Sequence, residues 1–301
     1  MNTLAKARFF SLQLDGSTDA GNVEDEVFLV VFCDPFSTVG KIRVRNEFLN
    51  VRRPGRVTAE SLFACLRGAM GFLVVANWEH KLIGMGCDGA SVNMGSASGQ
   101  KGLLTEAMPW IVVFWCLAHR LELALKDALK NTFFAQVDDM LLRIYYLYEN
   151  SPKICAKLDG VISELKHCLE PSDLPTKGGN RPLRACGTRF IAHKVAALQR
   201  IIDRLGAYLS HLSALIEDPS VKPGDKQKLK GYFSKWHDAK ILLGCAYFHD
   251  LLKPASILCK VLQEDEVCVV SAIEAILKTA KNLEKVKSTP VEDLTTVKVV
   301  L

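Results

Sequence analysis

The stretch Gly84-Met-Gly-Cys-Asp-Gly-Ala-Ser-Val-Asn-Met-Gly95 decides the fold, because an earlier stretch, Phe9-Phe-Ser-Leu-Gln-Leu-Asp-Gly-Ser-Thr-Asp19, is built the same way. In each, an apolar run poor in helix formers reaches an aspartate and passes at once into glycine and serine. That pattern reads as a strand ended by a carboxylate facing solvent, which places Asp15 and Asp88 at strand ends. Two such carboxylates on neighbouring strands can share a divalent metal ion.

Working outward, residues 7–14 form the first strand, Glu26 to Cys33 a second closed by Asp34-Pro35, and Lys41 to Leu49 a third carrying Ile42, Val44 and Phe48. Short polar turns between them make a meander. Thr58 is placed to cap a helix in which Leu62, Cys65, Leu66, Ala69 and Phe72/Leu73 keep helical spacing. The next strand, Lys81 to Cys87, follows that helix. A strand, helix, strand unit crosses over right-handedly and lays its strands parallel, so the fourth strand is expected beside the first, with Asp15 and Asp88 adjacent. A helical piece around Lys101 to Ala107 precedes a last apolar strand, Pro109 to Trp115.

From Cys116 the apolar period changes to that of helices, at 117–129, 133–148, 154–169, 190–215, 225–252 and 254–283. The clearest linker is Pro171-Ser-Asp-Leu-Pro-Thr-Lys-Gly-Gly-Asn180, with a second loop from Glu217 to Asp225. The expected fold class is therefore α/β plus all-α: core strands and helix over 1–115, a helical domain over 116–289, and a loose tail over 290–301.

Composition narrows the function. The 301 residues are 49% apolar, enough for a sizeable core. The longest apolar run, Ala107 to Ala118, is about half of the roughly 20 residues a membrane helix needs, so no membrane association is expected. The 10 cysteines contain no C-x-x-C pair, which suits free thiols in a reducing, intracellular compartment. Net charge is +5, yet Arg181 to Lys240 holds 12 Lys and Arg against 5 Asp and Glu, a local +7 that leaves −2 for the rest. Such a concentration favours a polyanion, and a solvated helical surface explains it equally.

Three further constellations carry chemistry. Gly84-x-Gly86-x-x-Gly89 matches the dinucleotide fingerprint formally, but its glycines lie in and at the end of a strand, and Asp88 would repel a pyrophosphate. Cys116 and His119 stand one helical turn apart, either as half of a zinc site, with Cys245 and His249 as distant partners, or as a helix start that packs Cys116 inward. Arg181, Arg184, Arg189 and Phe190 put three guanidinium groups beside a ring, suited to phosphate and base; alternatively Phe190 begins the apolar face continued by Val195, Leu198 and Ile201. In Lys226 to Trp236, Leu229, Tyr232, Phe233 and Trp236 share one stripe, read as core with solvated lysines.

Four blocks in order, Leu14-Asp-Gly-Ser-Thr-Asp19, Gly86-Cys-Asp-Gly-Ala-Ser-Val-Asn-Met-Gly95, Trp115-Cys-Leu-Ala-His-Arg-Leu-Glu-Leu-Ala124 and Thr188-Arg-Phe190, resemble those of hAT-superfamily transposases. More closely, they resemble the domesticated vertebrate zinc-finger and transposase-derived proteins. The resemblance implies a partial ribonuclease-H-like mixed sheet followed by a long helical insertion. It also implies roles: Asp15 and Asp88 as the first two acids of an Asp-Asp-Glu triad that binds metal, Cys116 and His119 as an accessory Cys-x-x-His motif, and Arg189-Phe190 in place of an Arg-Trp motif whose ring stacks on a flipped base.

The family's third acid, its C-terminal dimerisation region and its amino-terminal zinc module have no counterpart before Leu301. The expectation is a truncated, catalytically inactive nuclear protein or isoform that binds DNA through 181–240, or a protein partner, and acts on no small-molecule substrate. It requires no cofactor, with Mg²⁺ or Mn²⁺ needed if activity remains. Two alternatives stand beside it: a residual metal-dependent nuclease that recruits Glu122 or Glu149, and a pure interaction scaffold. A sheet without its last helix is also expected to leave one face partly uncovered.

Overall fold

The computed structural model describes residues 2–18, 24–38, 40–71, 75, 77–95, 98–168, 179–187, 189–264 and 267–288. The chain divides into two compact units, residues 1–121 with 262–268, and residues 122–261 with 269–301. The division falls inside a helix, a few residues beyond the strand-to-helix change at Cys116.

The first unit opens with a short helix, α1 (Asn2–Lys6), and then β1 (Phe10–Thr18), β2 (Glu24–Cys33) and β3 (Val44–Arg52). These three form the anticipated antiparallel meander. Helix α2 (Ala59–Met70) crosses over, and after the single turn α3 (Trp78–Lys81) the chain enters β4 (Leu82–Cys87), parallel to β1. Two more helices, α4 (Ser91–Met94) and α5 (Gln100–Ala107), lead to β5 (Val112–Trp115), parallel to β4. The result is a five-stranded mixed sheet in the order β3-β2-β1-β4-β5.

Thr58 caps α2 as its sequence position requires. Its hydroxyl accepts from the Ser61 amide at 3.2 Å while the Ser61 hydroxyl accepts from the Thr58 amide at 3.0 Å, a reciprocal capping box. Leu62, Leu66 and Ala69 then point inward, and Cys65 is half-buried; the continuation anticipated at Phe72 and Leu73 lies outside the described residues.

Strand register separates the two faces of the sheet. Phe10, Leu12 and Leu14 of β1 face Phe32, Val30 and Phe28 of β2, all buried with Leu82 and Met85 and packed with α2 and α5 residues such as Leu66, Met70 and Leu104. On the other face Phe48, Leu29, Gln13, Gly86 and Phe114 form one row across all five strands. Phe48 and Phe114 are 63% and 61% exposed, so this face is open at both edges.

The second unit is helical. Helix α6 (Leu117–Leu129) enters it, followed by α7 (Phe134–Glu149), α8 (Pro152–Cys168), α9 (Phe190–Glu217), α10 (Pro223–Trp236), α11 (Ala239–Val261) and α12 (Val269–Ser288). The 28-residue α9 is the central element, packing on α8, α10 and α11 through Leu198, Ile201, Leu205, Tyr208 and Leu212. Leu229 and Trp236 are buried and Tyr232 and Phe233 half-buried, as the stripe on α10 implies.

Three helix boundaries differ from expectation, one of them between Val261 and Val269, where the continuous helix expected over 254–283 is interrupted. The chain breaks at His237-Asp238, where the Asp238 carboxylate accepts from the Lys240 amide at 2.9 Å and starts α11. Pro254, expected to open a new helix, sits inside α11. By length and composition α11 could cross a membrane, but its buried positions, including Leu242, Cys245, Phe248 and Leu252, serve the core of this unit. Most of the linker over 171–180 and the tail after Pro290 lie outside the described residues.

Candidate functional site

The site is built where β1 and β4 run side by side. Their parallel register pairs Leu12 with Met85 and Gln13 with Gly86, and two further steps carry each strand to its aspartate, Asp15 and Asp88. Asp88 follows the last residue of β4, as anticipated. Asp15 does not end its strand: β1 continues through Gly16 to Thr18 because β2 keeps pairing with it, Asp15 to Val27 and Thr18 to Glu24. The strand loses its β4 neighbour there, not its β2 neighbour, so Asp15 stands exposed on a half-paired ledge.

The glycines after Asp88 make a turn held by the carboxylate itself. Asp88 Oδ1 accepts from the Ala90 amide at 3.0 Å and from the Asn93 side-chain amide at 2.8 Å. An aspartate that bonds its own backbone two residues on is an Asx turn, which is how this side chain is fixed without a helix behind it. Asn93 is buried, and its carbonyl oxygen has no partner among the described residues. Helix α4 spans only Ser91–Met94, so the glycine pattern does not open the long helix a dinucleotide site requires.

A third carboxylate, which the sequence pattern did not single out, arrives from β2. Glu26 opens the β2 stretch read from the sequence, yet its side chain is buried, in phase with Phe28 and Val30, and lies over Gly16. Burial, followed by the charges of Asp88 and Asp15, raises its pKa to about 7. The register explains why the three do not converge. Asp15 is in phase with Gln13 on the open face, whereas Glu26 belongs to the core face. Among the described residues no group of three His, Cys, Asp or Glu side chains is gathered as a metal ligand set.

Cys116 continues β5 at the same end of the sheet, and His119 follows it in α6. The Cys116 amide donates to the Cys87 carbonyl at 2.9 Å, extending the β4–β5 ladder by one step, and the Cys116 carbonyl accepts from the Arg120 amide at the start of α6. The Cys116 side chain is exposed and does not pack inward. Its neighbour Cys87 is buried, and burial first, then Asp88, Glu26 and Cys116, pushes that thiol up to about 12. Cys245 and His249, the distant zinc candidates, are buried in α11 of the second unit.

Trp115 forms a wall that its place at the end of an apolar strand did not advertise. Its ring covers Gly89 so closely that a Cβ there would meet ring carbons at 2.1 Å, and the Arg120 guanidinium lies 5.2 Å from the ring centroid. Only glycine fits beneath it.

The basic segment is placed in the second unit. Arg181, Arg184 and Arg189 are exposed. Arg184 Nε donates to Cys186 Sγ at 3.2 Å, with Tyr146 and Tyr145 close enough to act on its charge. Phe190 is half-buried, and its amide donates to Glu122 Oε2 at 3.3 Å, which engages one of the two glutamates considered as a substitute acid. The other, Glu149, interacts with Tyr145. Lys194, only 2% exposed and ion-paired with Asp138, lies 5.3 Å from the Phe190 centroid. That ring therefore serves the helical core, whatever its remaining face can stack upon.

The chain matches no protein-family model, and no curated protein matches it.

Proposed function

We propose that this is a transposase-derived nuclear protein whose ribonuclease-H-like sheet no longer supports strand transfer and whose helical unit binds nucleic acid or a protein partner. The single observation that carries the reading is the register of β1 against β4, in which Asp15 and Asp88 each lie two residues beyond the paired Gln13 and Gly86 at one end of the central strands of a meander-plus-parallel sheet. A helical unit with exposed Arg181, Arg184 and Arg189 follows. The inactive reading is supported by Asp88, whose Oδ1 already accepts from two donors, and by Glu26, which faces away from Asp15.

A two-carboxylate site still fits one hard cation, because Mg²⁺ keeps several waters and is commonly held by one or two carboxylates plus substrate phosphates. Asp88 Oδ2 and Asp15 would be its protein ligands, and the ion would supply charge for a phosphate oxygen. The charges of Asp88 and Asp15 act on Glu26, which favours a second reading, a residual nuclease in which Glu26, once ionised, leaves the core phase to take part in place of Glu122 or Glu149.

The test is nucleic-acid binding as a function of salt. Each phosphate contact adds about −0.9 to the slope of log affinity against log salt, so the arginine cluster is expected to give a slope near −2 to −3 that shrinks in an Arg181→Ala/Arg184→Ala/Arg189→Ala variant. A flat dependence would leave the scaffold reading. Nicking of DNA with Mn²⁺, abolished by Asp88→Ala, would replace the inactive reading with the nuclease.

A further inference from the structure

A cleft of about 820 Å³ opens in the second unit between α7, α8, the end of α9 and α10. Arg181, Arg184 and Arg189 do not line it, and Arg184 approaches it only through Tyr146. Leu215 and Leu229 are buried at its floor, and Leu147, Ile154 and Val221, half-buried, complete an aliphatic lining. Basic side chains surround this lining: Arg143, Lys153, Lys157, Lys222 and Lys228, against one lining carboxylate, Asp225. Three of the cations are already engaged, Arg143 by Asp139 at 2.6 Å, Lys157 by Asp218 and Lys228 by Asp225 at 3.7 Å. Lys153 and Lys222 are exposed and have no carboxylate partner among the described residues.

We propose that this cleft receives an acidic amphipathic helix from a protein partner, seating apolar side chains on the leucine floor while flanking Glu or Asp residues meet Lys153 and Lys222. The argument is complementarity of both kinds at once. Apolar anchors at i, i+4 and i+7 are how a helix is read by a groove, and charges at the rim set orientation and encounter rate. The volume lies within the roughly 300–1,000 Å³ typical of clefts that enclose a ligand of modest size, which suits a few side chains of a helix rather than the whole of one. A single nucleic-acid strand would want flat rings for its bases. The floor here is branched aliphatic; of the two lining tyrosines, Tyr146 is 47% exposed at the mouth, and Tyr232 bonds Arg143.

The experiment titrates the full chain against a fluorescein-labelled amphipathic peptide of leucine and glutamate, its counterpart of leucine and lysine, and a dT oligonucleotide. Saturable binding of the acidic peptide is expected, weakened about tenfold or more by Lys153→Glu/Lys222→Glu at low salt, with the lysine peptide gaining affinity on the same variant. Tyr146→Ala, at an exposed position, should weaken the acidic peptide without altering the melting temperature. Failure of the acidic peptide to bind, equal binding of both peptides, or indifference to the charge reversal would overturn the proposal. So would oligonucleotide binding that is lost on that reversal, which would give the cleft to nucleic acid. Loss of oligonucleotide binding only in the Arg181/Arg184/Arg189 variant leaves the two sites separate, as proposed.

Discussion

Trp115 and Gly89 share a space that only one side chain can fill. The indole lies where a Cβ on residue 89 would sit, 2.1 Å from its ring carbons, and it thereby closes over the turn that holds Asp88. Gly89→Ala must displace either the ring or the turn, and overpacking of this kind costs about 1–3 kcal/mol. Chemical denaturation is expected to show that loss, together with a shift in tryptophan emission. Trp115→Ala should remove most of the penalty of Gly89→Ala, so a double-mutant cycle is expected to be strongly non-additive. Additive effects would mean that the two residues do not compete.

The ionisation of Glu26 makes the first unit sensitive to pH. Its folded value, about 7, lies above the ordinary carboxylate range, because burial and the nearby Asp88 and Asp15 favour the proton. Between about pH 4.5 and 7 the unfolded chain releases a proton that the folded chain keeps, so stability falls as pH rises through this window and is flat above it. The loss is up to about 3 kcal/mol. Glu26→Gln keeps the shape and carries no charge. It is expected to abolish that slope and to be more stable than the parent at pH 8; an unchanged slope in urea denaturation across pH 4.5–8 would assign the sensitivity elsewhere.

Much of this arrangement could be read from the chain. Thr58 followed by Ser61 announced the capped crossover helix, and that helix in turn required β4 to lie parallel beside β1, which is why Asp15 and Asp88 each follow the same paired step by two residues. Glu26 was not legible as a site residue, because a glutamate at the start of a strand looks like solvent-facing punctuation; only the register, which sets it opposite Gly16, puts it in the core phase. Trp115 was hidden for a related reason. Its contact with Gly89 is 26 positions distant along the chain and depends on the β4–β5 pairing. The helix break at Asp238 was missed because Trp236 and Ile241 keep an apolar rhythm across it, while Pro254 looked like the stronger breaker.

In the second unit Tyr148 and His211 form a buried pair, 3.0 Å from the phenolic oxygen to Nδ1. Burial, with the charge of Lys157, lowers the imidazole to about 4, so it is neutral in the folded protein near neutrality, with Nδ1 paired to the tyrosine hydroxyl. The sign is opposite to that of Glu26. The unfolded chain takes up a proton near pH 6.5 that the folded chain refuses until about 4, so this contribution is present above pH 6.5 and is lost as pH falls through that window. Tyr148→Phe would leave Nδ1 unpaired at a cost of about 1–3 kcal/mol. His211→Phe is expected to remove the acid sensitivity between pH 4 and 6.5, and retention of the full slope would exclude this pair as its source.

The pair Lys194 and Asp138 makes the sharpest test of the helical core. The lysine is 2% exposed and its ammonium lies between the rings of Phe190 and Phe134, 5.3 and 5.9 Å from their centroids, while Asp138 supplies the only full countercharge that touches it among the described residues. Asp138→Ala strands a charge inside the protein, and removal of one partner of a buried pair typically costs about 3–5 kcal/mol. Lys194→Met keeps the aliphatic stem and frees Asp138, at 29% side-chain exposure, to solvate. The double variant Lys194→Met/Asp138→Ala is therefore expected to be far more stable than Asp138→Ala alone, and close to the parent. Were Asp138→Ala as mild as a surface substitution, the lysine would be reaching water by another path, and Phe190 would be released from it to stack elsewhere.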